Sequence, residues 1–333
     1  MGSLLYREGE VSLERNGAAM DSFEIGQDVE SFDVVKTGSD GLAEIDISSP
    51  QLPAMKVKVS SETQFSVEVS TLKGKQQTTI GIVGGSVSLK VAKLGGAQEV
   101  NVRTDSAAMG VRGTDFTVTA PPTGDVLVTC DEGEVVCTDD QGKELSAIPG
   151  TVVEKRPSEL FRTVPVAATG LEAYRTQWRS ERLQFLQANA LPIITRNVRL
   201  YTTLSRELNL EAAELSRSRT IIGRWADEDR SGRAGRGRGQ RGQAQLLRER
   251  RIIGALLVRM RRTVFQLERV EFRIERLQAL HERGVGTGTL DGGVTTAQFF
   301  ERFQRERNDV DQKLAQTRFV TKMFVRRNDG QLP

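Results

Sequence analysis

The side chains best suited to chemistry in this chain are few: one histidine, His281, and two cysteines, Cys130 and Cys137. A Ser-His-Asp or Cys-His mechanism would have to use His281, which lies far in sequence from either cysteine. It falls near the end of a long periodic stretch, where a cation suits the helix dipole. A zinc site needs about four Cys, His or carboxylate ligands at close spacing, and the sequence supplies no such set. It also has no paired-carboxylate motif and no G-x-x-x-x-G-K loop for phosphate. The expectation is a chain that is not an enzyme, with no catalytic residue, metal ligand or cofactor.

Cys130 and Cys137 flank residues 131–136. If Gly133-Glu134 forms a two-residue hairpin turn, the two thiols face each other. If Glu132-Gly133 is the turn, they are diagonal neighbours on one face. A disulfide across such a hairpin would fit an oxidising compartment, whereas two small buried thiols would serve the core. Both readings are open at the level of sequence.

Basic residues form the next set. Arg230, Arg233, Arg236, Arg238 and Arg241 lie among Gly, Ser and Gln between positions 230 and 242, with no large apolar side chain to pack. Such a tract can contact phosphates. It lacks the interleaved aromatics of base stacking, and Asp227, Glu228 and Asp229 offset its charge. Nucleic-acid or polyanion binding through 230–242 is therefore the alternative reading of function. A basic arm of this kind also suits an anionic membrane, a cell-wall polymer or an acidic protein.

The charge of the whole chain, +3, conceals a division. Residues 1–155 hold 9 Lys and 4 Arg against 24 Asp and Glu, a net of −11. Residues 156–333 hold 2 Lys and 32 Arg against 20 Asp and Glu, a net of +14. Two units with different surfaces follow, and they can attract one another.

Periodicity divides the chain at the same place. Up to about Val153, apolar residues alternate in short runs: Val57 and Val59, Phe65 to Val69, Val87 to Val91, Phe116 and Val118, Val126 and Val128. Period two marks half-buried strands, and glycines at 84–85, 95–96, 124 and 142 read as turns between them. A small unit recurs as Gly9-Glu10-Val11, Gly85-Ser86-Val87 and Gly133-Glu134-Val135. It predicts a positive φ at Gly followed by an inward β-branched residue. From Leu171 the period becomes helical. Leu171, Tyr174, Trp178, Phe185 and Ala188 share one face. Ile194, Val198, Tyr201, Leu204, Leu208, Ala212 and Leu215 form the next, after Pro192 at a helix start. Over about 245–283, Ile253, Met260, Leu267 and Ile274 hold one heptad position, and Leu256, Thr263, Val270 and Leu277 another. A last helix carries Phe299, Phe303, Val310, Val320 and Phe324. These four segments predict an antiparallel helical bundle or coiled-coil hairpin, able to self-associate.

One segment is far more specific. Thr104, Ala107, Gly110, Val111, Arg112, Gly113, Thr114, Phe116 and Val118 fall in the pattern T-x-x-A-x-x-G-V-R-G-T-x-F-x-V. An earlier run from Val34 to Ala43 and a later one from Val128 to Val135 accompany it. In this the first 155 residues or so resemble the FecR domain. The resemblance implies an all-β sandwich or roll that recognises a partner and performs no catalysis, on the extracytoplasmic side of a membrane. The family's best-known members are anti-sigma regulators with a cytoplasmic segment and one membrane helix ahead of this domain. This sequence shows neither. Arg112, within Gly-Val-Arg-Gly-Thr, could cradle an anion, although an arginine in a tight turn more often satisfies local carbonyls or an acidic neighbour.

The expected organisation is an all-β domain over 1–155, a linker over 156–170, and a helical domain over 171–333 with a flexible Arg/Gly loop at 227–244. No run approaches the roughly 18 apolar residues of a membrane span. The expected role is an extracytoplasmic, periplasmic binding, signalling or scaffold module whose partner is a protein or envelope polymer. Cytoplasmic nucleic-acid binding is the competing role.

Overall fold

Alternating apolar residues put one side of most strands into a core, and strands occupy most of residues 2–165 in the computed structural model. The structure describes the chain except residues 1, 17, 21, 50, 51, 73, 93–97, 112, 157–160 and 235–239. The strands form two layers. One contains Gly2–Glu8, Leu42–Ser49, Leu52–Val59, Asp115–Ala120, Val126–Glu132 and Thr151–Lys155. The other contains Val11–Arg15, Val34–Thr37, Gln64–Leu72, Gln98–Arg103, Ala107–Val111 and Val135–Asp139. The long strand Lys75–Val91 belongs to both. Its first part pairs with Gln64–Leu72 and, in parallel, with Gln98–Arg103. Its second part pairs with Leu52–Val59 and Asp115–Ala120. Ile45, Val57, Phe65, Ile80, Val87 and Phe116 are wholly buried in one core between the layers. Each such side chain contributes about 1.5–3 kcal/mol by leaving water.

The repeated Gly-x-Val unit proves to be a corner between layers. Gly9, Gly85 and Gly133 all have positive φ, at +61°, +98° and +82°. Val11, Val87 and Val135, two residues on, are buried. At Gly9 and Gly133 the chain leaves the first layer for the second, and at Gly85 it makes the reverse passage. Gly84-Gly85 is therefore no turn between strands, because the left-handed residue bends the long strand without ending it.

The hairpin read around the cysteines is corrected for the same reason. Val126–Glu132 pairs with Asp115–Ala120 and Thr151–Lys155, whereas Val135–Asp139 pairs with Ala107–Val111 and Glu144–Ala147. The corner at Gly133 sends the two cysteine strands into different layers. Cys130 and Cys137 are free, buried thiols of the shared core. Burial pushes the Cys130 thiol up to about 11 and the Cys137 thiol up to about 12.

The expected linker is also partly ordered. Arg162–Pro165 adds a strand beside Thr151–Lys155, and Phe161 is buried in the core. Pro165 is tolerated there because it closes an edge strand, where a missing N–H costs little.

Five helices follow: α1 (Leu171–Ala188), α2 (Ala190–Ser216), α3 (Arg219–Arg230), α4 (Gln240–His281) and α5 (Thr296–Arg327). Pro192 lies in the first turn of α2, where backbone N–H groups have no helical partner. Thr295 caps α5: its hydroxyl accepts from the Gln298 N–H at 3.2 Å, and the Gln298 side chain accepts from the Thr295 N–H at 2.9 Å. Both heptad rows of α4 are buried against α2 and α5 within the chain. That seam is thus occupied internally. The apolar face of α1 holds at Leu171 and Trp178 and departs from expectation only toward its end, where Phe185 is 42% exposed and Leu186 is buried instead. The fifth helix, α3, is the larger correction. It takes in 227–230, and α4 begins at Gln240, so the expected loop over 227–244 is shorter at both ends. Trp225 decides this, because its indole N–H donates to buried Glu249 of α4 at 2.9 Å and pins the segment down.

Candidate functional site

The T-x-x-A part of the motif closes the hairpin between Gln98–Arg103 and Ala107–Val111. The Thr104 hydroxyl accepts from the Ala107 N–H at 3.1 Å and donates to the Ala107 carbonyl at 3.2 Å. Threonine supplies both functions from one atom, and both residues are buried. Val111 and Phe116 are core residues, and Gly113 turns the chain at φ +62°. The Thr114 carbonyl accepts from the Val91 N–H at 2.9 Å. A Cβ on Gly133 would lie 2.8 Å from Thr114 Cγ2, so the motif turn and the Gly133 corner pack together. These residues build the fold. Gly110 differs: it is exposed, and a Cβ there would meet nothing within 4 Å. Arg112 lies outside the described residues.

Asp105, at the tip of the motif hairpin, reaches the helical half. Arg273 of α4 donates to its carboxylate at 2.5 Å. Burial disfavours the charged carboxylate, but Arg273, with Arg269 and Arg196 nearby, outweighs it and holds its pKa below the usual value. This contact belongs to a larger seam. Lys322 bonds Glu30 at 2.8 Å, Arg261 bonds Glu68 at 2.7 Å, and Arg276 bonds Glu62 at 2.9 Å. Arg318 bridges Glu14 and Glu268. From α1, Arg175 bonds Asp131 at 2.8 Å, and the Trp178 indole donates to buried Glu154 at 2.8 Å. The opposite charges of the two halves are spent on each other here.

Apolar contacts accompany this seam. A Cβ on Gly84 would lie 2.1 Å from the Phe272 ring, so only glycine lets α4 approach the bent strand. Arg269, 1% exposed, lies against the Phe265 ring and donates to the carbonyls of Phe265 and Ile82 at 2.6 and 3.3 Å. Burial lowers its pKa to about 10, outweighing the opposing charges of Asp105 and Glu268. The C-terminal turn closes the contact, with the Thr71 N–H donating to the Gly330 carbonyl at 2.8 Å.

Beside Asp105 and Arg273 a cleft of about 710 Å³ opens between α2 and α4, walled by Leu200, Glu207, Arg262 and Gln266. Of the basic tract, Arg230 ends α3 and pairs with Asp227, and Arg233 donates to the Ser231 hydroxyl at 2.9 Å. Arg236, Arg238 and the side chain of Arg241 lie outside the described residues. His281 rests against Phe300, ring centres 4.9 Å apart. Among the described residues no three His, Cys, Asp or Glu side chains gather to hold a metal ion, and no helix is long and apolar enough to cross a membrane.

Residues 33–136 match the family model described as FecR protein. The chain carries a FecR domain. The match begins at Asp33 and ends at Val136, so strands on both sides of the FecR domain complete the two layers. Two crystal structures, at 1.65 and 2.50 Å, of a candidate anti-sigma factor from Parabacteroides distasonis ATCC 8503 are similar to part of the chain. Identity is 14% and the TM-score 0.34, over 42% of this chain and 63% and 62% of that protein. The chain thus spans less than two thirds of that protein's length, and a likeness of this degree carries no functional inference. No curated protein matches. The Asp105–Arg273 contact was not readable in sequence, since nothing local links positions 168 residues apart. The one signal for it was the arginine excess of the second half.

Proposed function

We propose that this chain is a non-catalytic signalling module of the cell envelope, in which the FecR domain and the helical half act as one body that recognises a protein or envelope polymer. The supporting observation is the clasp on the motif hairpin: Asp105 lies within the FecR pattern, and Arg273 of α4 holds it. Occupancy of one half is thereby coupled to the position of the other, as a signalling element requires. An extracytoplasmic location follows from the family resemblance and is part of the proposal.

The test is cell fractionation of the tagged chain in its native host, with cross-linking in intact cells. The expected result is envelope-associated chain that is degraded by protease added after the outer barrier is opened. It should also form a cross-linked adduct that is lost when Asp105→Arg is introduced. Recovery only in the cytosol, or adducts unchanged by Asp105→Arg, would count against the role.

A further inference from the structure

Glu214 of α2 bonds Arg259 of α4 at 2.7 Å, and Trp225 of α3 bonds Glu249 of α4 at 2.9 Å. Rising numbers on one side meet falling numbers on the other, so α2 and α3 run antiparallel to α4 along one groove. The groove begins at the cleft beside Asp105. Large apolar side chains are exposed on the two long helices that flank it: Leu210 of α2 is 68% exposed, and Leu247, Val258 and Ile252 of α4 are 62%, 57% and 44% exposed. Arg248, Arg251 and Arg262 of α4 and Arg217 of α2's C-terminus are exposed, and none forms an ion pair with a described residue. On α4, Leu247, Arg251, Val258 and Arg262 recur at helical spacing, so apolar and basic side chains alternate along one stripe, with Arg248 and Ile252 on its flank.

We propose that this face is the docking site for an acidic amphipathic helix of a partner protein. Charge complementarity selects that occupant. The basic groups are arginines, whose planar guanidinium accepts a carboxylate in two-point fashion. Leu210 and Val258 offer positions for apolar residues recurring every three to four places on the incoming helix. The large apolar side chains exposed on this face, Leu210, Leu247, Ile252 and Val258, include no aromatic ring that could stack on bases, which disfavours a single-stranded nucleic acid. A bilayer is flat, whereas the groove opens into a cleft. A second copy would bring one arginine row against another. The proposal concerns the helical half and does not depend on the envelope role of the FecR domain.

Fluorescence anisotropy on the full chain tests it. The probe is a labelled peptide of about 20 residues with Leu and Glu in helical phase. Comparators are the same composition scrambled, single-stranded DNA, and phosphatidylglycerol vesicles. The expected result is at least tenfold tighter binding of the amphipathic peptide than of every comparator. The variant Arg248→Glu/Arg251→Glu/Arg262→Glu should lose at least tenfold, and Val258→Ser, which keeps every charge, should weaken binding too. Both alter exposed side chains, and circular dichroism reports their folding. Equal binding of the scrambled peptide, preference for DNA or vesicles, absence of peptide binding, or indifference to both variants would overturn it.

Discussion

Gly84 and Gly110 look alike as letters in a glycine-rich half, yet their surroundings differ. Gly84 faces the Phe272 ring at a distance no Cβ tolerates, and Gly110 faces open space. Gly84→Ala should cost about 1–3 kcal/mol in urea unfolding, as overpacking does. Placed in a Phe272→Ala background, the same change should cost clearly less. Gly110→Ala should stay within about 0.5 kcal/mol. Equal effects at the two positions would show that α4 does not press on the bent strand. The cysteines teach the same lesson. Their spacing allowed a facing pair, but the corner at Gly133 divides them between layers, and spacing carries no information about which layer a strand joins.

Among the elements, α4 carries the most conflict. Its heptad rows are fully used, and Glu271 is caught beside them at 5% exposure, with Oε1 lacking a hydrogen-bond partner among the described residues. Burial raises its pKa well above the ordinary value, and Asp311, Glu275 and Glu268 add to that against the opposing charge of Arg307. Burial raises Glu275 likewise. A carboxyl that keeps its proton in the folded state but loses it when unfolded makes stability fall as pH rises above the ordinary Glu range. Thermal unfolding should therefore show Tm declining from about pH 5 toward pH 8. Glu271→Gln should flatten that decline and raise Tm at pH 8 by roughly 2–4 °C for each kcal/mol recovered. A wild-type Tm that instead rises over this interval, unaltered in Glu271→Gln, would place the carboxyl in water. The heptads made α4 legible in sequence. The cost at Glu271 was not, because an isolated Glu in an Arg/Glu-rich helix reads as a solvated surface group.

For the molecule as a whole, the charge division is the organising fact. Arg318 lies between Glu14 of the β half and Glu268 of α4, and all three side chains are less than one-fifth exposed. Removing Arg318 leaves two partly buried carboxylates facing each other. Arg318→Ala should destabilise the chain by about 3 kcal/mol, toward the lower end for a broken buried pair. Glu14→Gln in that background should recover part of the loss, with a coupling of about 0.5–3 kcal/mol in a double-mutant cycle. Strict additivity would mean that the seam is held by apolar contacts such as Phe272 against Gly84, with the ion pairs incidental.

By itself the sequence determined the local grammar of this protein. Period two and period 3.6 reported which side chains share a face, the Gly-x-Val unit reported a positive φ, and the motif from Thr104 to Val118 reported the FecR domain, because each depends only on neighbours along the chain. The tertiary structure alone decided which layer each strand enters, that α3, anchored through Trp225, runs on into the start of the expected loop, and that Arg273 closes on Asp105. Those outcomes depend on contacts between residues distant in the chain, where burial and charge pairing are settled by which surfaces meet.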